Sequence, residues 1–509
     1  MRTTEVGSRR GALVGVLTAA VAVGSGQLAA AVVDRDASPV VAVGQAAIDL
    51  SPAWLREFAI SAFGVGDKTA LVVGILVVLA LLAAWVGRRA VERVALGYGA
   101  IAGLAAVGVL AALTRPVSSP SWAIPSVVGG LAAAGAFALL TRGETAEPET
   151  SRWDLVELDR RRFLQAALAV GAAAIASAGA GEILGGPSAI AAARAGLRIP
   201  EPSSPAPAPP SGAAFSGVPP FYTPNDAFYR VDTALIPPAI DPGTWRLRIH
   251  GMVDRELELY LEELLSRPLI ERDITLNCVS NPVGGHYIGN ARWIGAPLLP
   301  LLQEAGVHPD ATQIVGRSAD GMTIGTPTRV AMDGRDAMLA VAMNGQPLPI
   351  DHGFPVRMLV PGLYGYESAT KWLVDLELTT FEAYDAYWVR RGWAQIAPIQ
   401  TSSRIDTPKR FARLNVGPVT VAGIAWAQHR GIERVEVRVD DGTWNEAELA
   451  AQDSTDTWRQ WRWIWPAARG QHVLAVRATD DTGAVQTAAE ATPFPSGATG
   501  LHQVAVVVS

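Results

Sequence analysis

The chain has 509 residues, and a chain of this length is expected to hold more than one domain. Its formal net charge of −6 argues against a nucleic-acid-binding surface. Its single cysteine, Cys278, excludes an internal disulfide and every four-cysteine zinc or iron–sulfur site. Hydrophobic residues make up 49% of the sequence and are concentrated before residue 190, so we predict a membrane part followed by a soluble part.

Uncharged stretches long enough to cross a bilayer occupy much of the first part of the chain. A transmembrane helix needs about 20 apolar residues, and we predict a transmembrane region over residues 1–190 with about five helices. The fifth helix is richer in alanine and glycine than the others. The predicted helices cover residues 11–33, 69–87, 94–114, 116–141 and 163–184.

Basic residues flank these stretches unevenly. Arg9 and Arg10 precede the first stretch, Arg88 and Arg89 follow the second, and three arginines at 160–162 precede the fifth. Cytoplasmic loops carry an excess of lysine and arginine, so we expect a cytoplasmic N-terminus and an extracytoplasmic position for everything after the fifth helix. Residues 52–63 could form an amphipathic helix on the outer surface.

The fifth stretch carries a second signal. Residues 159–165 read Asp-Arg-Arg-Arg-Phe-Leu-Gln, which resembles the twin-arginine motif for export of folded proteins. The alternative is an ordinary basic flank of a membrane helix. No histidine precedes His250, so paired histidines cannot hold a haem in these helices. The membrane part is therefore an anchor, a docking surface for a partner, or a quinone-facing scaffold.

The remaining chain divides by composition. Residues 191–220 form a proline-rich linker, expected to be an extended, semi-rigid spacer. Residues 221–401 mix strand and helix patterns and predict an α+β domain with its function on loops. Residues 402–509 show short alternating segments separated by turn signals, which indicate an immunoglobulin-like β-sandwich.

The surroundings of Cys278 suggest a binding site. A lone cysteine can be a packed thiol, a reactive thiol or a ligand to one soft metal centre. His286 and Arg292 follow it closely and supply donors for an anionic or heterocyclic group. Further along the chain, His352 and Arg357, together with a lysine at 371, would make a cationic cradle for a phosphate.

Several long motifs occur in one order along the soluble part, and together they resemble the sulfite oxidase family of molybdopterin enzymes. The resemblance covers nearly all of residues 221–509. It rests on Asn225-Asp-Ala-Phe-Tyr229, Thr275-Leu-Asn-Cys278, Ser318-Ala-Asp-Gly321, Asp351-His-Gly-Phe-Pro-Val-Arg357, Gly423-Ile-Ala-Trp426, Arg434-Val-Glu-Val437, Trp458-Arg-Gln-Trp461 and Arg477-Ala-Thr-Asp480.

The resemblance implies a molybdenum-molybdopterin cofactor with Cys278 as the metal ligand. A thiolate is a soft donor that suits a metal cycling between oxidation levels. His286 and Arg292 either contact the cofactor or serve as structural struts. The resemblance also implies that the pterin and its phosphate are held by Asp320, His352, Arg357, Ser368, Thr370 and Lys371.

The sequence departs from the family pattern at the residues that contact the substrate. Sulfite oxidases present arginines to the oxyanion; the first aligns near Arg230 with an offset, and the second position is Val283. The active-site tyrosine of the family appears as Trp393. Arg230 and Trp393 are thus the candidate catalytic residues besides the cysteine. A pocket with fewer cations should bind a small dianion less well, so sulfite is in doubt as the substrate.

These observations predict a membrane-tethered molybdopterin oxidoreductase that acts on a small substrate at the outer face of the cell membrane. The alternatives are a reductase of organic S- or N-oxides with the same cofactor, and a non-catalytic membrane-anchored scaffold. No haem-attachment motif is present, so electrons are expected to pass to a separate cytochrome or quinone-linked partner. The resemblance further implies a homodimer formed through the C-terminal domain.

Overall fold

The computed structural model describes residues 2–52, 55, 67–115, 118–141, 165, 167–177, 179–180, 187–215 and 218–509. The chain forms two compact units. Unit 1 comprises Met1–Ala192 and the short segment Thr233–Ala239. Unit 2 comprises Ala193–Asp232 and Ile240–Ser509.

Unit 1 is helical. Four helices in its described part are long and apolar enough to cross a membrane, and each overlaps one of the first four predicted stretches. Many of their leucine and valine side chains are exposed, as expected of a surface that faces lipid. These helices are α1 (Arg2–Val33), α3 (Asp67–Ala90), α4 (Val94–Leu113) and α5 (Ile124–Thr141).

A shorter helix, α2 (Pro39–Leu50), lies between α1 and α3 and was not predicted. Its 12 residues are too few to span a bilayer, so the length criterion for a transmembrane helix does not detect it. The predicted fifth span is described mainly as helix α6 (Ala167–Ser177). The twin-arginine motif, apart from its final glutamine, and almost all of the predicted surface helix at 52–63 lie outside the described residues.

Glycines allow α1 and α3 to approach closely. A Cβ atom on Gly15 would lie 1.9 Å from the carbonyl oxygen of Ala83, and one on Gly87 would lie 2.3 Å from that of Gly11. Small residues that let helix backbones approach are a common basis of helix association in membranes. The packing of α1 on α3 therefore depends on residues without side chains.

The segment Thr233–Ala239 is held within unit 1 by hydrogen bonds. Gln45 of α2 accepts a hydrogen bond from Leu235 N at 3.1 Å. Lys68 at the start of α3 donates from Nζ to Ala234 O at 2.6 Å. Both side chains satisfy backbone groups of an irregular segment, which would otherwise need water.

The first part of unit 2 has α+β architecture, as the sequence predicts. Helix α7 (Pro187–Gly196) includes the last residues of unit 1 and the first residues of unit 2. Small helices α8 (Leu261–Ser266), α9 (Leu298–Ala305), α10 (Thr328–Ala331) and α11 (Gly365–Ser368) accompany the strands of unit 2. The strands are β1 (Arg246–Gly251), β2 (Leu257–Tyr260), β3 (Ile270–Asn277), β4 (Ile288–Pro297), β5 (Gln313–Ser318), β6 (Thr323–Pro327), β7 (Met338–Met343), β8 (Gln346–Pro347), β9 (Arg357–Leu359) and β10 (Leu373–Thr379).

These strands form two sheets around one core. The first sheet has the order β2-β1-β10-β5-β6, in which only β1 and β10 are parallel. The second has the order β3-β4-β7-β8, with β9 also paired to β7. Leu247 of β1, Leu298 of α9 and Leu339 of β7 are fully buried in the shared core. The sheets thus hold the ends of β3, β9 and β10 in fixed positions.

The proline-rich linker, expected to be an extended, semi-rigid spacer, forms hydrogen bonds with other parts of unit 2. Ser203 N donates to Leu269 O at 2.8 Å, and Ser204 forms a parallel bridge with Ile270 at the start of β3. Phe215 N donates to the side chain of Gln460 at 2.8 Å. Proline lacks an N–H group, yet the extended chain between prolines still pairs with a sheet edge.

The C-terminal part of unit 2 consists of two sheets with a common hydrophobic core. Their orders are β11-β13-β17-β16 and β12-β19-β18-β14-β15. Trp461 and Val435, one from each sheet, are fully buried in that core. The strands are β11 (Ser402–Thr407), β12 (Arg413–Leu414), β13 (Gly417–Trp426), β14 (Ile432–Val439), β15 (Asn445–Glu446), β16 (Glu448–Leu449), β17 (Arg459–Ala467), β18 (Gly470–Asp480) and β19 (His502–Val508).

Candidate active site

Cys278 directly follows β3, in a turn fixed by backbone hydrogen bonds. Cys278 N donates to Tyr287 O at 2.9 Å, and Asn281 N donates to Cys278 O at 3.0 Å. The cysteine is 8% exposed, with Sγ 2.9 Å from Ser280 Oγ. Burial raises the pKa of the thiol, while the Ser280 hydrogen bonds and the charge of Lys371 oppose that rise. A nearby cation is the feature that favours a thiolate at such a position.

The strand that leads to the cysteine is supported by the C-terminal part of unit 2. Thr275 N donates to Asp456 O at 2.9 Å, and Trp458 N donates to Thr275 Oγ1 at 2.8 Å. Gln428 donates from Nε2 to Thr275 O at 3.3 Å. Three residues of the C-terminal part thus hold β3 in place at Thr275, three positions before Cys278.

A cationic cradle forms from three predicted residues. His352 ends a short helical turn, Arg357 begins β9, and Lys371 lies shortly before β10. Arg357 Nη1 donates to His352 O at 3.4 Å. Gly353 has a φ angle of +109°, and a Cβ atom there would lie 3.1 Å from Lys371 Cα. Glycine therefore lets the loop after His352 pass close to the lysine.

The cradle confines cations in a place where water solvates them poorly. Burial lowers the pKa of Arg357 to about 10 and that of Lys371 to about 8. For Lys371 this occurs although Asp232 Oδ2 lies 2.5 Å from Nζ and favours the charged form. Burial, followed by the charge of Arg357, lowers the pKa of His352 to about 4. Its Nε2 lies 2.9 Å from Asn225 O, which accepts from the neutral ring.

The cradle fits an anionic group with several acceptor oxygens. Arg357 Nε, Thr370 Oγ1 and Asn277 Oδ1 are buried and have no hydrogen-bond partner in the described part of the chain. Buried polar groups nearly always have one. A phosphate would accept from the first two and offset the desolvation of Arg357 and Lys371. With one soft sulfur nearby, these residues match the molybdopterin group that the sequence implies.

Arg230 joins the cradle at its rim. Its Nε lies 2.9 Å from Asp232 Oδ2, and its Nη1 lies 3.3 Å from Asp351 Oδ1. Asp232 is 5% exposed and binds both Arg230 and Lys371. The structure therefore brings the predicted catalytic arginine together with the predicted cofactor-binding lysine, through a carboxylate that bridges them.

Asp320 and Ser368 are buried, and their described hydrogen bonds go to nearby backbone. Asp320 Oδ1 accepts from Met322 N at 3.1 Å in the turn between β5 and β6. Ser368 Oγ donates to the carbonyl oxygens of Leu363 and Tyr364 at 3.3 and 3.0 Å. Both side chains shape the loops beside the cradle.

His286 lies toward the C-terminal region. Burial and the charge of Arg404 lower the pKa of His286. Arg404 in turn donates to Gly285 O at 2.6 Å, and a Cβ on Gly284 would meet the ring of His502 at 2.2 Å. The loop after Cys278 thus packs on β11 and β19, and the charges that act on the pKa of His286 come from Arg404, Asp406 and Lys409 of that region.

Arg292 has a structural set of partners. Its guanidinium group donates to both carboxylate oxygens of Asp273, at 2.8 and 2.7 Å. It also donates to Pro207 O at 2.6 Å and lies 5.4 Å from the ring centre of Tyr222. Arg292 therefore joins β3, β4 and the linker, whereas the cradle is built on other residues.

Trp393 lies in an aromatic cluster. Its ring centre lies 6.1 Å from that of Tyr366, 6.2 Å from that of Trp388 and 5.5 Å from that of Phe494. Val279, next to the cysteine, belongs to the same hydrophobic cluster. Trp393 is thus connected to the cysteine turn through packed side chains.

Two further residues of this region, Tyr229 and Asp232, were not predicted from the sequence. Burial and the charge of Cys278 both raise the pKa of Tyr229, which stacks on Phe228 with ring centres 5.2 Å apart. Asp232 contacts two cradle cations. Tyr229 is the last residue of the motif Asn225–Tyr229, and its place in that motif could have indicated that it lies near the site. Nothing in the spacing of Asp232 pairs it with Lys371.

Known proteins are similar to this chain over its soluble part. The model of the family "Oxidoreductase molybdopterin binding domain" matches residues 234–388. Mouse mitochondrial sulfite oxidase is 33% identical over 316 residues, covering 52% of this chain and 57% of that protein. Sulfite oxidase of Gallus gallus is 32% identical over 317 residues, covering 52% of this chain and 68% of that protein. The chain spans a little over half the length of the mammalian relatives it matches.

A solved structure is similar as well. The sulfane dehydrogenase SoxCD from Paracoccus pantotrophus superposes with a TM-score of 0.50 at 25% identity, covering 57% of this chain and 82% of the other. Sequence motifs, the cationic cradle and these relatives agree on an oxidoreductase with a molybdenum-molybdopterin cofactor. This chain belongs to the sulfite oxidase family of molybdopterin-binding oxidoreductases.

Proposed function

We propose that the chain is a membrane-tethered oxidoreductase that transfers an oxygen atom to or from a small substrate at the outer face of the cell membrane. The observation that carries the proposal is the position of buried Cys278 near a cradle of buried cations with unpartnered donors. The membership of the family makes the scaffold alternative untenable as a description of the soluble part.

The cofactor, when bound, supplies two-electron oxygen-atom transfer. In the oxidative direction, substrate and water give the oxygenated product, two protons and two electrons; the reductive direction is the reverse. The residues of the protein hold the cofactor and orient the substrate. We assign Cys278 to the metal, and Arg357, Lys371 and His352 to the pterin and its phosphate. In this proposal Thr370 donates from Oγ1 to the phosphate. Asp320 and Ser368 lie in loops around the pterin, and Arg230 and Trp393 lie toward the substrate.

The membrane tether and the electron partner are part of the proposal. Four apolar helices of sufficient length support a multi-pass anchor, and the arginine-rich flanks support an outer position for unit 2. The chain has one cysteine, so it carries no haem-attachment pair. We therefore propose a separate cytochrome or quinone-linked membrane subunit as the electron partner.

We further propose a division of labour within unit 2. Residues 221–401 would bind the cofactor, and residues 402–509 would form an immunoglobulin-like domain that mediates a homodimer. The common core between the two C-terminal sheets supports the sandwich. The twin-arginine residues before the fifth stretch would direct export of unit 2 after the cofactor has been inserted.

A second function within the same chemistry is reduction of organic S- or N-oxides. The observation in its favour is the residue at the position of a family arginine, Val283, which carries no charge and is 38% exposed. A pocket with fewer cations should discriminate less strongly in favour of a dianion.

The test is Cys278→Ser in the full chain, made in a molybdate-replete host. We expect the variant to lose turnover by more than a hundredfold because serine is a harder and weaker donor to molybdenum. Alkylation of thiols gives an independent readout of metal binding, since wild type has one cysteine and the variant has none. A bound metal should protect that thiol from alkylation until the protein is unfolded.

The control is Ser280→Ala, which removes a neighbour of the sulfur and keeps the sulfur itself. It should retain molybdenum. Full activity of Cys278→Ser, or wild-type protein that contains no molybdenum, would refute the proposed function.

A further inference from the structure

A buried carboxylate lies among the cations of the cradle. Asp232 is 5% exposed, and its Oδ2 lies 2.5 Å from Lys371 Nζ and 2.9 Å from Arg230 Nε. Because the cradle fits an anionic ligand, a fixed anion within it competes with that ligand for the same cations. A carboxylate at this position therefore needs a physical explanation.

Lys371 loses its charge more readily than an exposed lysine does. Burial lowers its pKa to about 8, and the positive charges of Arg357 and Arg230 act in the same direction. Asp232 opposes these effects through its charge and its hydrogen bond. A lysine that titrates near pH 8 is sensitive to a single neighbouring carboxylate, since one unit of pKa changes its protonated fraction about tenfold at alkaline pH.

The other titratable neighbours of Lys371 do not stabilise its proton to the same extent. Asp351 accepts from Nζ through its backbone oxygen at 3.3 Å, whereas its carboxylate is 53% exposed and lies 3.3 Å from Arg230 Nη1. His352 has a pKa of about 4, so its ring is neutral at pH 7. Burial raises the pKa of the Cys278 thiol, which is therefore neutral there as well. Within the described part of the chain, Asp232 is the carboxylate in direct contact with the lysine ammonium group.

Asp232 has two opposite effects on the binding of an anion. Its charge repels the anion, and it also preserves the charge of Lys371 that attracts the anion. The carboxylate contacts Nζ directly, whereas an anion must approach the ammonium group from another side and lie farther from the carboxylate. The attraction should therefore outweigh the repulsion wherever an isolated Lys371 would lose its proton.

We propose that Asp232 is a positioning residue of the cofactor site, whose carboxylate keeps Lys371 protonated and in place for the phosphate of the cofactor at neutral and mildly alkaline pH. The inference rests on the proposed function, because it assigns a further residue to the same cofactor site. Asp232 acts through Lys371 and Arg230 and does not itself bind the phosphate.

The experiment measures sulfate binding to the cofactor-free full chain in detergent by titration calorimetry between pH 6 and pH 9. Sulfate is the probe because it remains a dianion over this whole range. Wild-type affinity should be constant up to about pH 8 and then fall, approaching tenfold per pH unit. In Asp232→Asn the fall should begin about one pH unit lower. At pH 6 this variant should bind sulfate at least as tightly as wild type, because no carboxylate repels the anion.

Asp351→Asn is the matched control. Its carboxylate also pairs with Arg230 but does not contact Lys371, so the fall in affinity should stay near pH 8. Asp232→Glu restores the charge and should return the fall toward pH 8. Lys371→Gln should bind sulfate more weakly than wild type and show no fall below pH 9.

A purely structural role of Asp232 would weaken sulfate binding in Asp232→Asn by the same factor at every pH, and that result overturns the inference. Wild type that binds no sulfate, or a fall near pH 8 that persists in Lys371→Gln, overturns it as well. The Lys371→Gln profile decides the question if Asp232→Asn does not fold.

The molybdenum content of the holoenzyme after dialysis at pH 6.5 and pH 8.5 extends the test to the cofactor. Asp232→Asn should lose metal at the higher pH while wild type retains it, and equal retention by the two contradicts the inference. Wild type that contains no molybdenum before dialysis contradicts the proposed function, whereas the sulfate profile tests Asp232 independently of the metal.

Discussion

His352 makes the stability of the cofactor region depend on pH. Its pKa is about 4 in the folded chain and 6.5 as an ordinary histidine, so the unfolded chain binds a proton first as the pH falls. The free energy of unfolding should therefore decrease between pH 6.5 and pH 4, by about 3 kcal/mol from this residue alone. Above pH 6.5 the residue should contribute no pH dependence.

The measurement is the Tm of cofactor-free protein at pH 7 and pH 4.5. His352→Gln should reduce the acid-induced decrease in Tm, because glutamine can still donate to Asn225 O and has no proton to gain. His308→Gln is the control, since that histidine is 45% exposed. An identical decrease in wild type and His352→Gln would contradict the prediction.

At the same scale, the three residues of the cradle are predictable from the sequence, whereas the residues that pair with them are not. His352 and Arg357 belong to the motif Asp351–Arg357, on which the resemblance to the family rests, and Lys371 follows as the third cation of the predicted cradle. The structure brings all three together. Their partner Asp232 escaped notice since it pairs with a residue 139 positions away. For Arg292 the sequence leaves open a cofactor contact or a structural strut, and its bidentate pair with Asp273 favours the strut.

At the scale of elements, the contact between α1 and α3 can be tested with two glycines of one helix. Gly87→Ala should lower the Tm of unit 1 in detergent by roughly 5 °C, because its Cβ would meet a backbone oxygen at 2.3 Å. Gly74→Ala in the same helix has nothing within 4 Å of its Cβ and should leave the Tm unchanged or raise it.

Thermal unfolding followed by circular dichroism at 222 nm reports both variants. Equal Tm values for the two would show that the close approach of α1 and α3 does not contribute to stability.

Predictability also varied among elements. The four long apolar helices are predictable because a bilayer requires a minimum length of apolar sequence, and such a run is visible in the sequence itself. Helix α2 is apolar but short, and a 12-residue run has no such diagnostic length. The composition of the linker predicts an extended, semi-rigid spacer, because composition describes an isolated chain. Its pairing with β3 depends on an edge that sequence patterns do not show.

At the scale of the whole molecule, the paired arginines offer a test of how unit 2 reaches the outer face. Arg160→Lys with Arg161→Lys should abolish export, because the twin-arginine system requires both arginines while a basic flank tolerates lysine. A tag after Ser509 should then resist protease in spheroplasts, whereas the same tag on wild type should be cleaved. Arg88→Lys with Arg89→Lys is the matched control and should behave as wild type.

Unchanged cleavage of the tag in the Arg160→Lys, Arg161→Lys variant would assign these residues to an ordinary basic flank. Protection of the tag in wild type would place unit 2 on the cytoplasmic side and contradict the predicted orientation.

The hydrogen bonds at Thr275 carry a practical consequence for anyone who shortens this protein. A fragment that stops before Ser402 would lose the groups that Asp456, Trp458 and Gln428 present to that threonine. The strand entering the cysteine turn would then be hydrated along that edge, and the sulfur would no longer be held in register. Low metal content in such a fragment would result from the loss of these hydrogen bonds. It would not contradict the assignment of Cys278 as the metal ligand.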